Sequence, residues 1–584
     1  MWKSFLKDHV WVAIKDERRS FVRLFLALSI LGLCQSGLVI TLGPLLKAFF
    51  TGTNDYIILG SMFSALPSSL AKLSVSRAQL SESIPFVLLG LGLCRSYCGY
   101  IYNIEQQYLT LEVTAKFRSS LFNGILEARY LEGARKSPAE WMSVIMNDVA
   151  AIEGKLNNLV AGFLRDLLTL AASYVGLIFV WWPAAVFLLL ISPLIAFWTG
   201  KTGRKISRWS EEFQDAQAKF QAFAHDFRSR LEFVKAQNGE KREFEQFERM
   251  NHRYFSAVKK SIFTRALFAP IFEFMGFSLF AGVIFMMPTI EHFLDGSRLF
   301  AFFVALGLIF KPLRSIGEQY VGFEQMRGLL AQSLQVLQLP PSTVSRRASS
   351  GSALPPVAID SLKLSYSSFF VDLKGFSFAP GQMILLAGPS GAGKSSVLKV
   401  LAGLIEPIEF TSNVALEDIR TQVSYVGQVP YLFKGTLRDN LNYGLDQPLE
   451  DGDLQSALVL SCIHQEIEVL GGLDLDFDPL KPNLSGGQIQ RLVIARGLLR
   501  HATILAFDES TSSLDLDTER AVLKSLRKQA VSESKIVLIV SHRFELLDMF
   551  DYIYFFEHGG ISLNGKVEEM LKKKRFVEFL EGEK

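Results

Sequence analysis

Six predominantly apolar runs, all complete before residue 325, constrain this chain more than any other feature: Phe21–Phe50, Ile84–Val113, Leu156–Trp181, Trp182–Gly200, Ala266–Pro288 and Leu299–Tyr320. An α-helix needs about 20 apolar residues to cross the hydrocarbon core of a bilayer, and in that core each backbone polar group must pair within the spanning structure. The runs therefore predict six membrane helices. The chain is 49% hydrophobic and only 20% charged, more apolar than a soluble protein needs. Its 584 residues also exceed what one hydrophobic core organises, so at least two folding units follow.

The segments between the runs set the orientation. Only the Trp181-Trp182-Pro183 corner separates the third run from the fourth, which predicts a tight hairpin. Thr114–Lys155 and Lys201–Arg265 are long and charged, and Phe213, Phe220, Phe223, Phe227 and Leu231 recur there at helical spacing. They read as extensions of membrane helices. These connections and the amino terminus are rich in Lys and Arg, whereas Thr51–Ser83 holds only Lys72 and Arg77. By the positive-inside rule, both termini are cytoplasmic. Met1–Ser20 contains no long apolar segment, so no cleaved signal peptide is expected. The net charge of +3 carries no concentrated basic tail, which makes nucleic acid an unlikely partner. Cys94 and Cys98, one helical turn apart, read as small residues of a membrane helix.

After the sixth run, a Ser/Arg/Pro stretch beginning Leu339-Pro340-Pro341-Ser342 reads as a linker. The expected division is a membrane domain at 1–335, a linker at 336–356 and a second domain at 357–584. In that last domain short apolar strands at Met383–Ala387, Ile504–Phe507 and Ile536–Val540 alternate with helical segments, the α/β pattern of a mostly parallel sheet. The first strand runs into Gly388-Pro389-Ser390-Gly391-Ala392-Gly393-Lys394-Ser395-Ser396 and then a helix. Glycines let backbone N–H groups curl around phosphates, a lysine neutralises the β- and γ-phosphates, and the Ser395 hydroxyl can ligate Mg2+. This identifies a P-loop nucleotide site, and no more than that by itself. The strand Ile504–Phe507 ends in Asp508 and Glu509. Asp508 is suited to hold Mg2+ through water and Glu509 to polarise the attacking water, the division of labour that phosphoryl transfer needs.

Leu484-Ser485-Gly486-Gly487-Gln488, followed by Ile489-Gln490-Arg491, resembles the signature of ATP-binding-cassette (ABC) proteins. That resemblance implies roles for further residues: Tyr366 stacks on adenine, Gln428 is the Q-loop glutamine and a metal ligand, Asp515 lies in the D-loop and His542 is the switch histidine. With Lys394 and Glu509, Gln428 and His542 are the implied catalytic group. It also implies that the signature meets the γ-phosphate bound by a second copy, so that nucleotide closes a dimer and hydrolysis reopens it. Neither Glu509 nor the signature is degraded, which fits a homodimer with two competent sites. Membrane helices fused ahead of the ATPase resemble the exporter arrangement: an all-α six-helix type IV transmembrane domain joined to an α/β P-loop nucleotide-binding domain. Transverse coupling helices are expected at Ser137–Asp148 and Gln214–His225, beside Gln428.

Ionisable residues within membrane helices are costly and hence functional candidates. Arg95, Arg165 next to Asp166, Glu273, Lys311 and Arg314 are of this kind. They either pair between helices and snorkel to the interface, or hold a substrate. Cys94-Arg95-Ser96-Tyr97, Leu164-Arg165-Asp166 and Phe310-Lys311-Pro312-Leu313-Arg314-Ser315 are similar in type and spacing to the lipid A flippase family. That similarity implies that Arg95, Arg165, Lys311 and Arg314 contact the phosphates of lipid A or a similar anionic glycolipid in a bacterial inner membrane. A multidrug or hydrophobic-peptide exporter is the alternative, for which the 48 phenylalanines supply a greasy chamber. Phe477-Asp478-Pro479-Leu480-Lys481-Pro482-Asn483 departs from the Gly-Glu loop that exporters of this family carry before the signature.

Overall fold

The computed structural model describes residues 10–50, 56–58, 74–134, 138–157, 162–179, scattered positions from 182 to 227, 230–285, 296–342, 354–366 and 369–582. The chain forms two compact units, Met1–Glu127 with Lys136–Leu339, and Ala128–Arg135 with Pro340–Lys584.

The first unit is built on long helices: α1 (Arg18–Phe50), α2 (Arg77–Glu127), α6 (Gly162–Phe179), α7 (Glu240–Phe285) and α8 (Gly296–Leu337). The first, second and sixth expected runs lie within α1, α2 and α8, and α6 and α7 cover most of the third and fifth. Most of the fourth lies outside the described residues. At 1.5 Å per residue the 51 residues of α2 reach about 75 Å, far more than a bilayer requires. The surplus forms a second core beyond the apolar span, where Phe117, Leu121, Val149, Ile152, Met326 and Leu330 are buried together. Within the span, Leu24, Ala27, Leu28 and Tyr102 are buried together. Phe86, Leu93, Phe274 and Phe277 point outward and are exposed, as residues facing lipid should be. Small and polar residues join α1 to α6. Ser36 Oγ donates to the Ala172 carbonyl at 2.6 Å and Gln35 Nε2 to Ser173 Oγ at 3.4 Å, the type of glue that membrane helices use. A short ribbon, β1 (Tyr56–Ile58) with β2 (Ser74–Ser76), lies between α1 and α2.

The loop after α2 corrects one expectation. Pro138–Ser143 (α4) passes through a π-helical turn, Val144–Asp148, directly into Val149–Leu156 (α5), and all of it belongs to the first unit. The segment that joins the second unit is instead Ala128–Arg135, with the four-residue helix α3 (Tyr130–Gly133). Arg129 N–H donates to the Pro340 carbonyl at 3.0 Å, Ala128 bridges Pro341, and Leu131 packs against the second unit's core. Most of the expected second transverse helix, Gln214–His225, lies outside the described residues.

The second unit is α/β. Its main sheet has the order β13-β12-β5-β11-β10-β7, with β7 (Val423–Val426), β10 (Ile504–Asp508), β11 (Ile536–Val540), β5 (Met383–Ala387) and β12 (Tyr552–Glu557) parallel and β13 (Gly560–Lys566) antiparallel. A three-stranded antiparallel sheet of β3 (Val357–Tyr366), β4 (Phe369–Phe378) and β6 (Glu409–Ser412), and a small pair of β8 (Gly435–Thr436) and β9 (Asp476–Phe477), complete it. All five residues of β5, β10 and β11 are buried, which explains why parallel strands covered on both faces read as unbroken apolar runs. Leu505 and Phe507 enter one core while Ile504 and Ala506 enter the other. The next residue, Asp508, stands at the carboxyl edge of the sheet, where open α/β sheets bind ligands.

Candidate nucleotide-binding and membrane sites

Four segments converge at that edge. The loop after β5 has three glycines in the left-handed region, with φ +138° at Gly388, +78° at Gly391 and +102° at Gly393, the last serving as N-cap of helix α9 (Lys394–Leu401). Gly388 also lies so close to β12 that an added Cβ would meet the Phe556 carbonyl oxygen at 2.2 Å. Lys394 is buried, and its Nζ donates to the carbonyls of Gly388 and Pro389 at 2.6 and 2.9 Å.

The acid pair is fully engaged. Asp508 Oδ1 accepts from Ser395 Oγ at 2.6 Å, and Oδ2 accepts from the Tyr425 hydroxyl at 2.8 Å. Glu509 Oε2 accepts from Gln428 Nε2 at 2.7 Å, while Oε1 lies 3.2 Å from His542 Nε2. Glu509 itself has φ +49°, a conformation non-glycine residues adopt at a cost and that clusters at functional sites. The Glu509 N–H is tied to the Val540 carbonyl at 3.1 Å. Burial first, then the Asp508 carboxylate, pushes the Tyr425 hydroxyl well above the usual tyrosine range, so it stays a proton donor.

Ser485 caps helix α11 (Gly486–Leu498) through a reciprocal pair with Gln488: Gln488 N–H donates to Ser485 Oγ at 3.3 Å, and Ser485 N–H donates to Gln488 Oε1 at 2.8 Å. The open N-terminus of such a helix suits an anion. Asp515 caps helix α12 (Leu516–Ser532), accepting from Thr518 N–H at 3.0 Å, and this backbone bond holds its carboxyl below the usual range. Tyr366 ends β3.

Several supporting residues carry no motif of their own. Tyr425 enters the sequence pattern only as context for Gln428. Gln490, 1% exposed, accepts from Ser513 N–H at 3.0 Å and so joins the signature helix to the D-loop. Glu466 on helix α10 (His464–Leu470) receives both arms of Arg491 at 2.7 and 3.0 Å and Gln488 Nε2 at 2.8 Å. Buried Glu519 accepts from Thr511 Oγ1 at 2.6 Å and from Arg543 at 2.8 Å. A buried acid near a basic residue is the only sequence trace such partners leave, and it is not specific.

In the membrane unit, Arg165 Nε donates to Asp166 Oδ1 at 3.1 Å, and its guanidinium lies 5.8 Å from the Tyr102 ring centroid. Gln319 Nε2 donates to Asp166 Oδ2 at 2.8 Å and to Ser315 Oγ at 3.1 Å. Asp166 thus joins α6 to α8. Arg95 is half-buried on α2 and Lys311 is exposed on α8. Arg314 lies on the same helix, its side chain outside the described set. Arg23 pairs with buried Glu105 at 2.9 Å.

A family model described as the ABC transporter transmembrane region matches residues 22–313, and one described as ABC transporter matches residues 373–512. The chain is similar to an ATP-dependent lipid A-core flippase of Burkholderia thailandensis, 26% identical over 514 residues and 84% of each chain. It is similar to another in Syntrophus aciditrophicus, 25% identical over 514 residues, 85% of this chain and 84% of the other. Its fold matches the structure of a bacterial Atm1-family ABC exporter with ATP bound, with a TM-score of 0.79 and 22% identity over 97% of this chain and 98% of that one.

Proposed function

We propose, from the premise that this chain belongs to the ABC transporter family, that two copies act together and hydrolyse ATP in two shared sites to move an anionic amphiphile across the membrane. The premise makes it a multi-pass membrane protein of the exporter type and an ATPase coupled to transport. The rest is our reading. The observation that carries it is the double anchoring of Glu509 by Gln428 and His542 at the edge of β10.

Each group has a task in that reading. Lys394 and the glycine-loop N–H groups bind the β- and γ-phosphates, with Tyr366 against the adenine. Ser395, Asp508 and the Gln428 amide oxygen form a hard, all-oxygen donor set that fits Mg2+. The 2.6 Å approach of Ser395 Oγ to Asp508 already gathers two of them. When bound, that ion neutralises phosphate charge. Glu509 orients the attacking water, and His542 and Gln428 hold its carboxylate in line. Ser485 and the N–H groups of Gly486 and Gly487 on one copy face the γ-phosphate held by the other, with Asp515 at the same seam. Binding then favours the closed pair and hydrolysis the open one.

The substrate reading is lipid A or a similar anionic glycolipid in a bacterial inner membrane, with both termini and the ATPase in the cytoplasm. The basic residues Arg95, Arg165, Lys311 and Arg314, the Lys/Arg-rich connections and the printed names of the relatives support it. ATPase activity and lipid binding in nanodiscs with and without lipid A test it. Stimulation, lost when Arg95 and Arg314 are neutralised, is the expected result; no binding and no stimulation would refute it. A multidrug or hydrophobic-peptide exporter is the second reading, favoured by the neutralisation of Arg165 through Asp166. Transport that survives those two charge removals would select it.

A further inference from the structure

We propose that Tyr425 is a positioning residue that fixes the Asp508 carboxylate for the metal. The inference rests on the reading of Asp508 as a metal ligand. Asp508 is only 3% exposed, and a buried carboxylate needs donors for both oxygens. The two donors differ in kind. Ser395 belongs to the phosphate loop, and its hydroxyl has a second use as a ligand. Tyr425 belongs to β7, on the far side of β10 and β11 from the phosphate-loop strand β5, and its 2.8 Å bond to Oδ2 requires neither nucleotide nor metal. It can therefore hold the plane of the carboxylate in every nucleotide state, keeping Oδ1 turned toward the site.

The ring cannot swing away easily. Tyr425 lies beside Ala506 in the parallel register of β7 with β10. Its ring also packs on Gly427, close enough that a Cβ there would lie 3.3 Å from ring atom Cε1. Gly427 immediately precedes Gln428, so the residue that clamps Asp508 also touches the segment that clamps Glu509.

The test uses the full-length protein in nanodiscs with a non-hydrolysable ATP analogue. Mn2+ affinity is read by electron paramagnetic resonance, and metal-free nucleotide affinity is read in EDTA. Tyr425→Phe keeps the ring and removes only the donor. It should weaken Mn2+ binding about tenfold, the effect of one hydrogen bond to a charged group, and leave metal-free nucleotide binding unchanged. Asp508→Asn tests the underlying ligand reading. If Asp508→Asn weakens Mn2+ binding and Tyr425→Phe does not, the positioning role is wrong and the ligand stands; if the Asp508→Asn protein binds Mn2+ normally, both are wrong. A parallel loss of Mn2+ and metal-free nucleotide affinity in Tyr425→Phe would mean a collapsed site and also overturns the proposal.

Discussion

Two alanine substitutions in the phosphate loop separate backbone conformation from packing. Gly391 and Gly393 have the freedom expected of a loop that wraps phosphates, but Gly388 is constrained further. Its φ is +138°, and a Cβ would lie 2.2 Å from the Phe556 carbonyl oxygen and 3.1 Å from the carbonyl carbon. Phe556 is fully buried in β12, a strand held on both sides, so the loop must yield. Forced repacking costs about 1–3 kcal/mol and a positive φ about 1–2 kcal/mol, so Gly388→Ala should cost about 2–5 kcal/mol. Gly391 has a φ of +78° with nothing within 4 Å of its Cβ position, so Gly391→Ala should cost only the conformational part, about 1–2 kcal/mol. At about 2–4 °C per kcal/mol for a domain of this size, the transition of the α/β unit should fall by about 4–20 °C in the first variant and about 2–8 °C in the second. Thermal scans of the two proteins at one heating rate provide the comparison. Equal shifts would show that β12 exerts no restraint on the loop.

Other outcomes follow from the same geometry. Glu509→Gln preserves the shape between Gln428 and His542 and removes the carboxylate; ATP turnover should fall by about 10²–10⁴ with nucleotide binding retained, and turnover at the native rate would refute the assignment. Arg491 holds the Glu466 carboxyl below its usual range, so the pair's contribution is fully present above the unfolded pKa of about 4.3 and is lost as pH falls through the lower folded value. The melting difference between native protein and Glu466→Gln should be constant near neutrality and shrink below about pH 4.5; a difference that grows in acid would reverse the argument. Asp166→Asn removes the charge that pairs with Arg165, so an anionic lipid should bind several-fold more tightly and a neutral drug equally well. Weaker lipid binding in a folded Asp166→Asn protein would show that Arg165 needs its partner to receive phosphate.

The α/β unit was legible because its strands are apolar on both faces and its loops carry rigid chemistry. Met383–Ala387 and Ile536–Val540 are strands with the expected ends, and Ile504–Phe507 is extended by Asp508 alone. The order of Lys394, Gln428, Ser485, Asp508 and His542 marks the candidate site in the sequence. Contacts between distant residues were not legible. Tyr425 meets Asp508 across 83 positions, and nothing in either residue's local pattern names the other. The expected first transverse helix falls too late in the chain for a related reason. Periodicity needs several turns to register, and Tyr130–Gly133 has barely one, whereas Pro138–Asp148 has a helical pattern because it runs on into Val149–Leu156. In the membrane, the pairing of Arg165 with its neighbour Asp166 was open to the sequence, whereas the bond from Gln319 to Asp166, across 153 positions, was not.

The acid pair explains why a site of this kind can be switched by parts of the chain that never touch the phosphates. Asp508 and Glu509 present four carboxylate oxygens, and each has a partner from a different segment: Ser395 from the phosphate loop, Tyr425 from β7, Gln428 from the loop beyond it and His542 from the loop after β11. In the proposed reading Ser395 and Gln428 have a second duty, because each gives only a proton to a carboxylate and keeps an oxygen, the hydroxyl Oγ or the amide Oε1, with lone pairs for a metal. Tyr425 and His542 have no such second duty. The proposed site therefore contains two donors that would also serve the metal and two that serve the acids alone, and the second pair would set how the acids face the incoming water and metal. In that reading a change at His542 should alter hydrolysis with nucleotide binding retained, whereas a change at Tyr425 should act through the metal, so the two acids give the site separate handles on binding its fuel and consuming it.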